Sequence, residues 1–456
     1  MSRLAVVIAR KSLTRACCLA AFACIALLLS QPALAAPAAK AAATPPASAL
    51  SKLSLDGLSF RSLGPAVTGG RIIGLAVNPH DHSEYYVAAG NGSLWKTTTG
   101  GVTFASVFDG ESAFSIGAVT LDPSDPNVVW VGTGENNAQS YVVPGDGVYK
   151  SEDGGKSWVN MGLKESQQIG AIVVHPKQPN TVWVAAYGPH RVSGGDRGVF
   201  KTTDGGKTWT NVLHPSDHTG CWELHMDPRN ADVLYAVAHQ RQRYLSTSIM
   251  GGDESGIYKT TDGGMTWARL KGGLPQKMVG RIGVGISPVD PSRVYAVVEA
   301  KEKKDRGTYV STDAGASWTR VGDYVSTYPN YCQKVYCDPK NIDRVYAMDM
   351  FNQVSIDGGK SWSRLGEDKK HVDNHVLWID PKDSRHMLSG NDGGLYETFD
   401  GASTWAFKPN LPLAEIYKVA TDDAKPFYSI YIGTQDTFWY RAAMTAGAAG
   451  VTMGLL

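Results

Sequence analysis

One eight-residue phrase recurs seven times between Thr97 and Trp405, and this recurrence constrains the fold of the chain more than any other feature. Its clearest copies read SEDGGKSW, TTDGGKTW and TTDGGMTW. The first copy has Thr99 where the aspartate is expected and Phe104 where the tryptophan is expected. The other six copies contain Asp153 and Trp158, Asp204 and Trp209, Asp262 and Trp267, Asp313 and Trp318, Asp357 and Trp362, and Asp400 and Trp405.

The spacing of the copies predicts the architecture. Their third residues lie 43 to 58 positions apart. A period of about 50 that consists of strands and turns is typical of a β-propeller, in which each repeat forms one four-stranded antiparallel blade. We therefore predict an all-β fold with a seven-bladed propeller over residues 56–415. Eight blades are the alternative, in which residues 58–64 add an outer strand to a partial repeat at 416–436.

The phrase itself has the chemistry of a tight turn between two strands. The residues before it alternate in character, as in Gly198-Val199-Phe200-Lys201, which predicts a strand. An aspartate can accept hydrogen bonds from nearby backbone N–H groups, and glycine tolerates positive φ values. The final indole can insert between neighbouring sheets, where its burial contributes roughly 4–6 kcal/mol as an upper estimate. We therefore predict that the six aspartates and six tryptophans are structural.

A second unit precedes each copy of the phrase. In one example, GAVTLDP at 117–123 is followed by VVWV at 128–131. Two β-rich runs that are joined by a proline-bearing connection predict the first two strands of a blade, so the phrase joins the third strand to the fourth. The phrases and the proline connections then share one face of the ring. The other two kinds of connection vary in length and define what we call the variable-loop face.

The N-terminus has the features of a secretory signal peptide over residues 1–35. Arg3, Arg10, Lys11 and Arg15 are basic and precede an apolar run at 16–29 that is shorter than the ~20 residues of a membrane span. An Ala/Pro-rich linker follows at 36–55. We therefore predict an exported protein, periplasmic or secreted, without stable membrane insertion after cleavage. Residues 416–456 are interpreted as a partial further repeat with an irregular tail, which suggests truncation.

Charge and cysteine content narrow the function classes. Loss of residues 1–35 would reduce 44 basic residues to 40 against 43 acidic residues, which does not favour a nucleic-acid partner. Cys221, Cys332 and Cys337 would remain, and a disulfide between Cys332 and Cys337 is left open. No motif for a cofactor is apparent, so none is predicted; the sequence does not indicate an oligomeric state.

Polar residues gather on the variable-loop face, where binding on a rigid frame is usually located. The Arg, Glu, Asn, His and Asp side chains of this face should converge around the mouth of the central channel. The ligand-binding candidates are Arg71, Glu135, Asn136, Arg241, Arg243, His371, Asp373, His375, Asn391 and Asp392.

Simpler roles remain open for several of these candidates. His371, Asp373 and His375 could bind a divalent metal, but no complete four-ligand set accompanies them and no metal site is predicted. Glu135 could form a salt bridge with Arg241 or Arg243. Asp392 and Glu135 are weak catalytic candidates. Asp146 occupies the register of Asp392 in another blade, so a turn role for Asp392 is equally compatible with the sequence.

The repeated phrase resembles the Asp-box, or BNR repeat, over roughly residues 56–436. Within that group, GTGE at 132–135, GNDGG at 390–394 and GTQD at 433–436 are similar to exported bacterial proteins described as glycosyl-hydrolase-like or sortilin (VPS10) N-terminal-like. The resemblance extends distantly to xyloglucanases. It implies a propeller but does not specify an activity, because binding proteins and enzymes both contain these repeats.

Two functions follow from the resemblance. The first is an exported propeller that binds a glycan or a polypeptide on the variable-loop face. The second is a xyloglucanase-like glycoside hydrolase that acts on β-glucans, and its activity in this truncated form is left open. Xyloglucanases of this fold carry a catalytic aspartate at the mouth of the first blade, where this chain has AGNGS at 89–93 and no carboxylate. Whether the protein is an enzyme is therefore left open.

Overall fold

A computed structural model describes residues 69–137, 142–366, 370–425, 428–434, 439–443 and 452–455, the last two as backbone only. The predicted signal peptide and linker lie outside the described residues, as do residues 56–68 of the predicted propeller. Two 3₁₀ segments, Lys164–Ser166 and Lys303–Asp305, are the helical elements of the described residues. No helix in this part of the chain has the length and apolar character of a membrane span.

The first four blades follow one another along the chain, each with its innermost strand first. Blade 1 contains β1 (Ile72–Val77), β2 (Tyr85–Ala89), β3 (Leu94–Thr97) and β4 (Ala105–Ser106). Blade 2 contains β5 (Ile116–Leu121), β6 (Val129–Thr133), β7 (Val148–Ser151) and β8 (Val159–Gly162). Blade 3 contains β9 (Ile169–Val174), β10 (Val182–Ala186), β11 (Gly198–Thr202) and β12 (Thr210–Leu213). Blade 4 contains β13 (Thr219–Asp227), β14 (Asn230–Arg243), β16 (Gly256–Thr260) and β17 (Ala268–Arg269), and β15 (Ser248–Met250) pairs with the end of β14.

The remaining strands form three further blades and one additional sheet. Blade 5 contains β18 (Val279–Ile286), β19 (Val294–Ala300), β20 (Gly307–Ser311) and β21 (Thr319–Gly322). Blade 6 contains β22 (Val335–Cys337), β23 (Val345–Ala347), β24 (Gln353–Ser355) and β25 (Ser363–Arg364). Blade 7 contains β26 (Asn374–Ile379), β27 (Met387–Asn391), β28 (Gly394–Thr398) and β29 (Ala406–Phe407). The additional sheet contains β30 (Ile416–Thr421), β31 (Ser429–Thr434), β32 (Trp439–Ala443) and β33 (Thr452–Leu455).

The ring closes with seven blades, because blade 7 packs directly against blade 1. Ile72 and Val87 of blade 1 share an apolar cluster with Val376 and Leu388 of blade 7. The backbone of Gly69 donates to the carbonyl of Leu413 at 2.8 Å, which joins the entry and exit of the ring. The seven-bladed prediction is confirmed, and the eight-bladed alternative is wrong because no gap remains between these two blades.

The repeated turns are closed by hydrogen bonds among their own residues. In the third copy, Asp204 accepts bonds from the backbone N–H of Thr208 at 3.0 Å and from its hydroxyl at 2.7 Å. Thr202 donates to the same carboxylate at 2.7 Å and accepts from the backbone of Gly206 at 3.0 Å. Gly206 has φ = 92°, a value that an L-residue rarely adopts.

The indoles connect neighbouring blades. The indole N–H of Trp158 donates to the carbonyl of Val107 at 2.6 Å, and that of Trp209 donates to the carbonyl of Met161 at 2.8 Å. In both cases the acceptor is at or beside the outer strand of the preceding blade. Trp209 also contacts Trp130 edge to face, at 6.4 Å between ring centroids. The turns and the indoles together hold one face of the ring.

The cysteines of the described residues are free. Cys221, Cys332 and Cys337 do not form a disulfide, so the pairing of Cys332 with Cys337 that the sequence left open is not present. Cys332 precedes β22 and Cys337 ends that strand, so the extended backbone separates the two residues. The described residues of the segment at 416–456, which the sequence interprets as a partial repeat with an irregular tail, belong to the additional sheet, and β33 lies in the predicted tail.

Candidate functional site

The centre of the variable-loop face contains an ion cluster that is formed by distant parts of the chain. Arg71 enters β1, Glu135 follows β6 and Asp392 follows β27. The guanidinium of Arg71 binds Glu135 Oε1 through Nη1 at 2.8 Å and Asp392 Oδ1 through Nε at 3.0 Å. Glu415 lies 3.8 Å from Nη2. The cluster therefore ties blades 1, 2 and 7 together at the mouth of the channel.

Additional side chains orient the two main carboxylates. His375 Nε2 lies 2.7 Å from Asp392 Oδ1, and the hydroxyl of Tyr331 donates to Asp392 Oδ2. Asn137 donates to Glu135 Oε1 at 2.8 Å. The ring of Tyr331 contacts His375 edge to face at 4.6 Å. Asp392 therefore accepts bonds from three side chains and is held in one orientation.

Burial makes the electrostatics of this cluster strong. The side chains of Arg71, Glu135 and Asp392 are at most 3 % exposed. Burial by itself raises the pKa of Asp392, but the nearby His375 and Arg71 bring that pKa below the usual value of an aspartate. The pKa of Tyr331 is raised by burial and by Asp392. Asp392 is therefore a carboxylate at neutral pH, and Tyr331 is its hydrogen-bond donor.

The segment Glu135–Asn137 crosses the mouth of the channel and is held by three arginines. Arg71 of blade 1 binds the side chain of Glu135, as described above. Arg281 of blade 5 donates to the carbonyl of Asn136 at 3.3 Å, and Arg241 of blade 4 donates to the carbonyl of Asn137 at 3.1 Å. Because the segment leaves blade 2 and reaches arginines of blades 4 and 5, it must lie across the axis of the ring.

Arg241 and Arg281 are buried guanidinium groups that stack on aromatic rings. Arg241 lies 3.3 Å from the centroid of Tyr187, and Arg281 lies 3.6 Å from that of Trp222. Burial lowers the pKa of Arg241 to about 9. Burial together with Arg241 also lowers the pKa of His190 to about 3, so this histidine is neutral. The aromatic faces and backbone carbonyls stabilise cations that are removed from water.

Below this segment the innermost strands surround the central channel. Its cavity volume is about 600 Å³, and its walls include Leu75, Val119, Ile172 and Trp378. Lys334 is the charged residue of the lining, and burial lowers the pKa of this lysine to about 8. The apolar walls come from residues of the innermost strands β1, β5, β9, β22 and β26.

A second cavity opens on the variable-loop face beside the ion cluster. Its volume is about 740 Å³. Tyr331 belongs to both the cavity wall and the ion cluster, so the two features are contiguous. The lining residues are Arg243, Ser248, Met250, Thr327, Tyr328, Pro329, Asn330, Tyr331, Met350 and Asp373. We call this cavity the loop-face pocket.

The predicted binding residues separate into two groups. Seven of them are buried at the mouth of the channel and bond to other protein groups: Arg71, Glu135, Asn136, Arg241, His375, Asn391 and Asp392. Arg243 and Asp373 instead line the loop-face pocket. His371 is directed at the backbone, with Nδ1 3.0 Å from the carbonyl of Val372. Most candidates thus form a rigid floor, and two of them face a cavity.

One expectation about pairing needs correction. Glu135 pairs with Arg71 rather than with Arg241 or Arg243, because Arg241 is turned toward backbone carbonyls and Tyr187. His371, Asp373 and His375 do not share a centre, since His375 is bonded to Asp392. In the described part of the chain, no group of three or more His, Cys, Asp or Glu side chains has the arrangement of a metal site.

The sequence interpretation missed several residues of this face. Arg281 had a usable signal, because Gly280-Arg281-Ile282 repeats the Gly70-Arg71-Ile72 pattern at the start of another innermost strand. Tyr331, Met250 and Glu415 had none, because they lie in connections of unique length and composition. Their positions depend on how the blades close.

Comparisons with known proteins agree with this architecture. The family model described as Sortilin, neurotensin receptor 3 (Sortilin-Vps10) matches residues 146–274 and 197–350. A probable oligoxyloglucan-reducing end-specific xyloglucanase of Neosartorya fischeri is 26% identical over 247 residues, which are 49% of this chain and 26% of that protein. A xyloglucanase of Hypocrea jecorina is 24% identical over 377 residues, which are 78% of this chain and 38% of that protein.

A solved structure supports the same fold. The GH74 xyloglucanase of Xanthomonas campestris superposes with a TM-score of 0.60 at 16% sequence identity and covers 81% of this chain and 59% of its own. The fold and its matches define a β-propeller of four-stranded antiparallel blades. More particularly, the chain is a seven-bladed propeller that is similar to the Sortilin-Vps10 family model over residues 146–350 and distantly similar to xyloglucanases. It spans about a quarter of the length of the first curated relatives that it matches.

Proposed function

We propose that this protein is an exported propeller that binds a glycan or a polypeptide on its variable-loop face. The observation that carries the proposal is the loop-face pocket, whose volume of about 740 Å³ is in the usual range of ligand sites. Its lining combines two tyrosines and two methionines with one arginine and one aspartate. Exposed tyrosine provides an apolar surface with a polar end, which suits both sugars and peptides. Export rests on the predicted signal peptide at 1–35.

The arrangement of the buried carboxylates favours binding over hydrolysis. Glycoside hydrolases need two carboxyl groups with a sugar, and in inverting enzymes also a water molecule, between them. Here Glu135 and Asp392 are bonded to the same guanidinium, so Arg71 occupies the space between them. The lowered pKa of Asp392 also makes this group a poor general acid near neutral pH.

A hydrolase remains the second candidate, because the curated relatives are xyloglucanases. Under this alternative the chain would release reducing ends from xyloglucan oligosaccharides. Asp392→Asn and Glu135→Gln would then abolish the release while each variant still binds the oligosaccharide. Such a result with the purified full-length chain would overturn the proposal of a binding protein.

Binding is tested with two defined probes, xyloglucan oligosaccharides and a library of short linear peptides. Met250→Ala removes an apolar wall of the pocket, and Met265→Ala is the matched control, because Met265 is 76% exposed in a repeated turn on the opposite face. We expect Met250→Ala to weaken binding of the retained probe by about fivefold or more, from the loss of buried apolar contact. The control should bind like the unmodified chain. Equal affinity of both variants would place the ligand elsewhere.

A further inference from the structure

The hairpin formed by β14 and β15 offers an unpaired backbone edge to the loop-face pocket. β15 pairs with β14 alone in the described sheet, with Arg241 opposite Met250 and Arg243 opposite Ser248. An edge strand of this kind presents a row of backbone donors and acceptors that another extended chain can use. The register of the hairpin determines which residues of β15 direct their N–H and C=O groups to this edge.

The backbone bonds of β14 settle this register. Along a strand, alternate residues direct their N–H and C=O groups to opposite edges. Arg241 donates to the carbonyl of His218 at 3.1 Å and Arg243 to that of His190 at 3.0 Å, so both point away from β15. Tyr244 donates to Thr247 inside the hairpin at 2.8 Å. Gln242 and Ile249 therefore form the hydrogen-bonded pair, and Ser248 is directed to the outer edge.

The outer edge borders the pocket. Ser248 and Met250, the two residues of β15 that are directed outward, are also the two residues of β15 that line the cavity. One end of this edge is already occupied, because Gly252 exchanges backbone bonds with Val279 at 2.8 and 3.2 Å. The available edge is therefore short and leads from the exposed tip of the hairpin toward Gly252.

The side chains around this edge suit an extended chain with an apolar residue. Met250 and Met350 provide deformable apolar walls, and Tyr328 is 54% exposed at the rim. Arg243 and Asp373 add charges of opposite sign. The side-chain oxygen of Asn330 is buried and has no hydrogen-bond partner among the described residues. A ligand with amide groups would satisfy such an oxygen.

We propose that the loop-face pocket binds a polypeptide segment in extended conformation, which adds as a strand to the outer edge of β15 and inserts an apolar side chain between Met250 and Met350. This inference rests on the proposed function and selects the polypeptide from its two ligand classes. Main-chain bonds to Ser248 would supply affinity, and the methionine walls would supply side-chain selectivity. A glycan has no backbone with this periodicity.

The test selects binders from a library of short linear peptides on the purified full-length chain and then N-methylates one selected peptide at each position in turn. N-methylation removes one backbone donor, so we expect losses of about fivefold or more only at the peptide residues that lie opposite the short outer edge, which are two positions apart. Ser248→Pro, which removes the outward N–H, should weaken binding similarly. Ser248→Ala loses the same hydroxyl but retains the N–H, so its loss of affinity should be smaller than that of Ser248→Pro, and equal losses would contradict a main-chain bond at Ser248.

The outcomes separate this inference from the proposed function. Peptides that bind without a period of two in the N-methyl scan would overturn strand addition and leave a peptide-binding propeller. Binding of xyloglucan oligosaccharides without any peptide would overturn the inference and leave a glycan-binding propeller. Failure of both probes would overturn both proposals. The scan uses the unmodified protein, so it decides the question even where Ser248→Pro disturbs the hairpin.

Discussion

Removal of the central arginine tests whether the ion cluster holds the ring closed. Arg71 is 2% exposed and bonds to Glu135 and Asp392 at 2.8 and 3.0 Å. Arg71→Met would keep much of the side-chain volume but leave both carboxylates buried without this guanidinium. Breaking a buried pair in this way costs about 3–5 kcal/mol. That loss is a large fraction of the roughly 5–15 kcal/mol that stabilises a typical domain.

Urea denaturation at several pH values provides the assay. In the unmodified chain, Asp392 has a lowered pKa, so its contribution is present above the unfolded pKa and is lost as pH falls through the folded value. Without Arg71 the pKa of Asp392 should be higher than in the unmodified chain, which reduces the stability of the fold most at high pH. The difference between Arg71→Met and the unmodified chain should therefore be smaller near pH 5 than near pH 8.

Two further variants test whether the ion cluster of Arg71 stabilises the fold. Arg71→Lys retains the charge, but one ammonium group cannot reproduce the separate bonds of Nε and Nη1, so an intermediate loss is expected. Asp392→Asn should be less harmful in the Arg71→Met background than alone, because the two residues interact directly. A loss below about 1 kcal/mol for Arg71→Met, with no dependence on pH, would refute the role of the cluster in stability.

The remaining predictions concern the turns and a pH-dependent contact within blade 7. Gly206→Ala should destabilise the fold by about 1–3 kcal/mol, because the added Cβ would lie 2.9 Å from Trp130 and the backbone has φ = 92°. Gly110→Ala is the control, because a Cβ at that position meets no atom within 4 Å. The control should be nearly neutral in the same urea titration. His386 has a pKa raised chiefly by its bond to Glu397, so its stabilisation is present below the unfolded pKa of about 6.5 and is lost as pH rises through the folded value. His386→Gln should therefore reduce the fall in unfolding free energy between about pH 6 and pH 8, and an unchanged fall would contradict this assignment.

The sequence alone determined the architecture, because the information for a blade is local. The Asp204 turn is closed by residues at most four positions away, and strand alternation is visible within each repeat. Regular repeats therefore predicted seven blades and assigned the variable connections to one face. The recurrence of short turns also predicted which aspartates would lie in turns, since such hydrogen bonds need no distant partner.

Tertiary structure alone decided the composition of the candidate site. Asp392 and Arg71 are 321 positions apart in the sequence, and Glu135 and Arg71 are 64 positions apart. No spacing pattern in the sequence therefore predicts either pair. Closure of the ring brings these three side chains together and removes them from water. They therefore bond to one another inside the protein, although the sequence suggests that they contact a ligand. The loop-face pocket likewise forms only where connections of blades 4, 6 and 7 meet. The blades can be predicted from the sequence, because the hydrogen bonds of their turns join residues that are close together in the chain. The site cannot be predicted in this way, because it depends on packing between distant loops that do not belong to the repeated pattern.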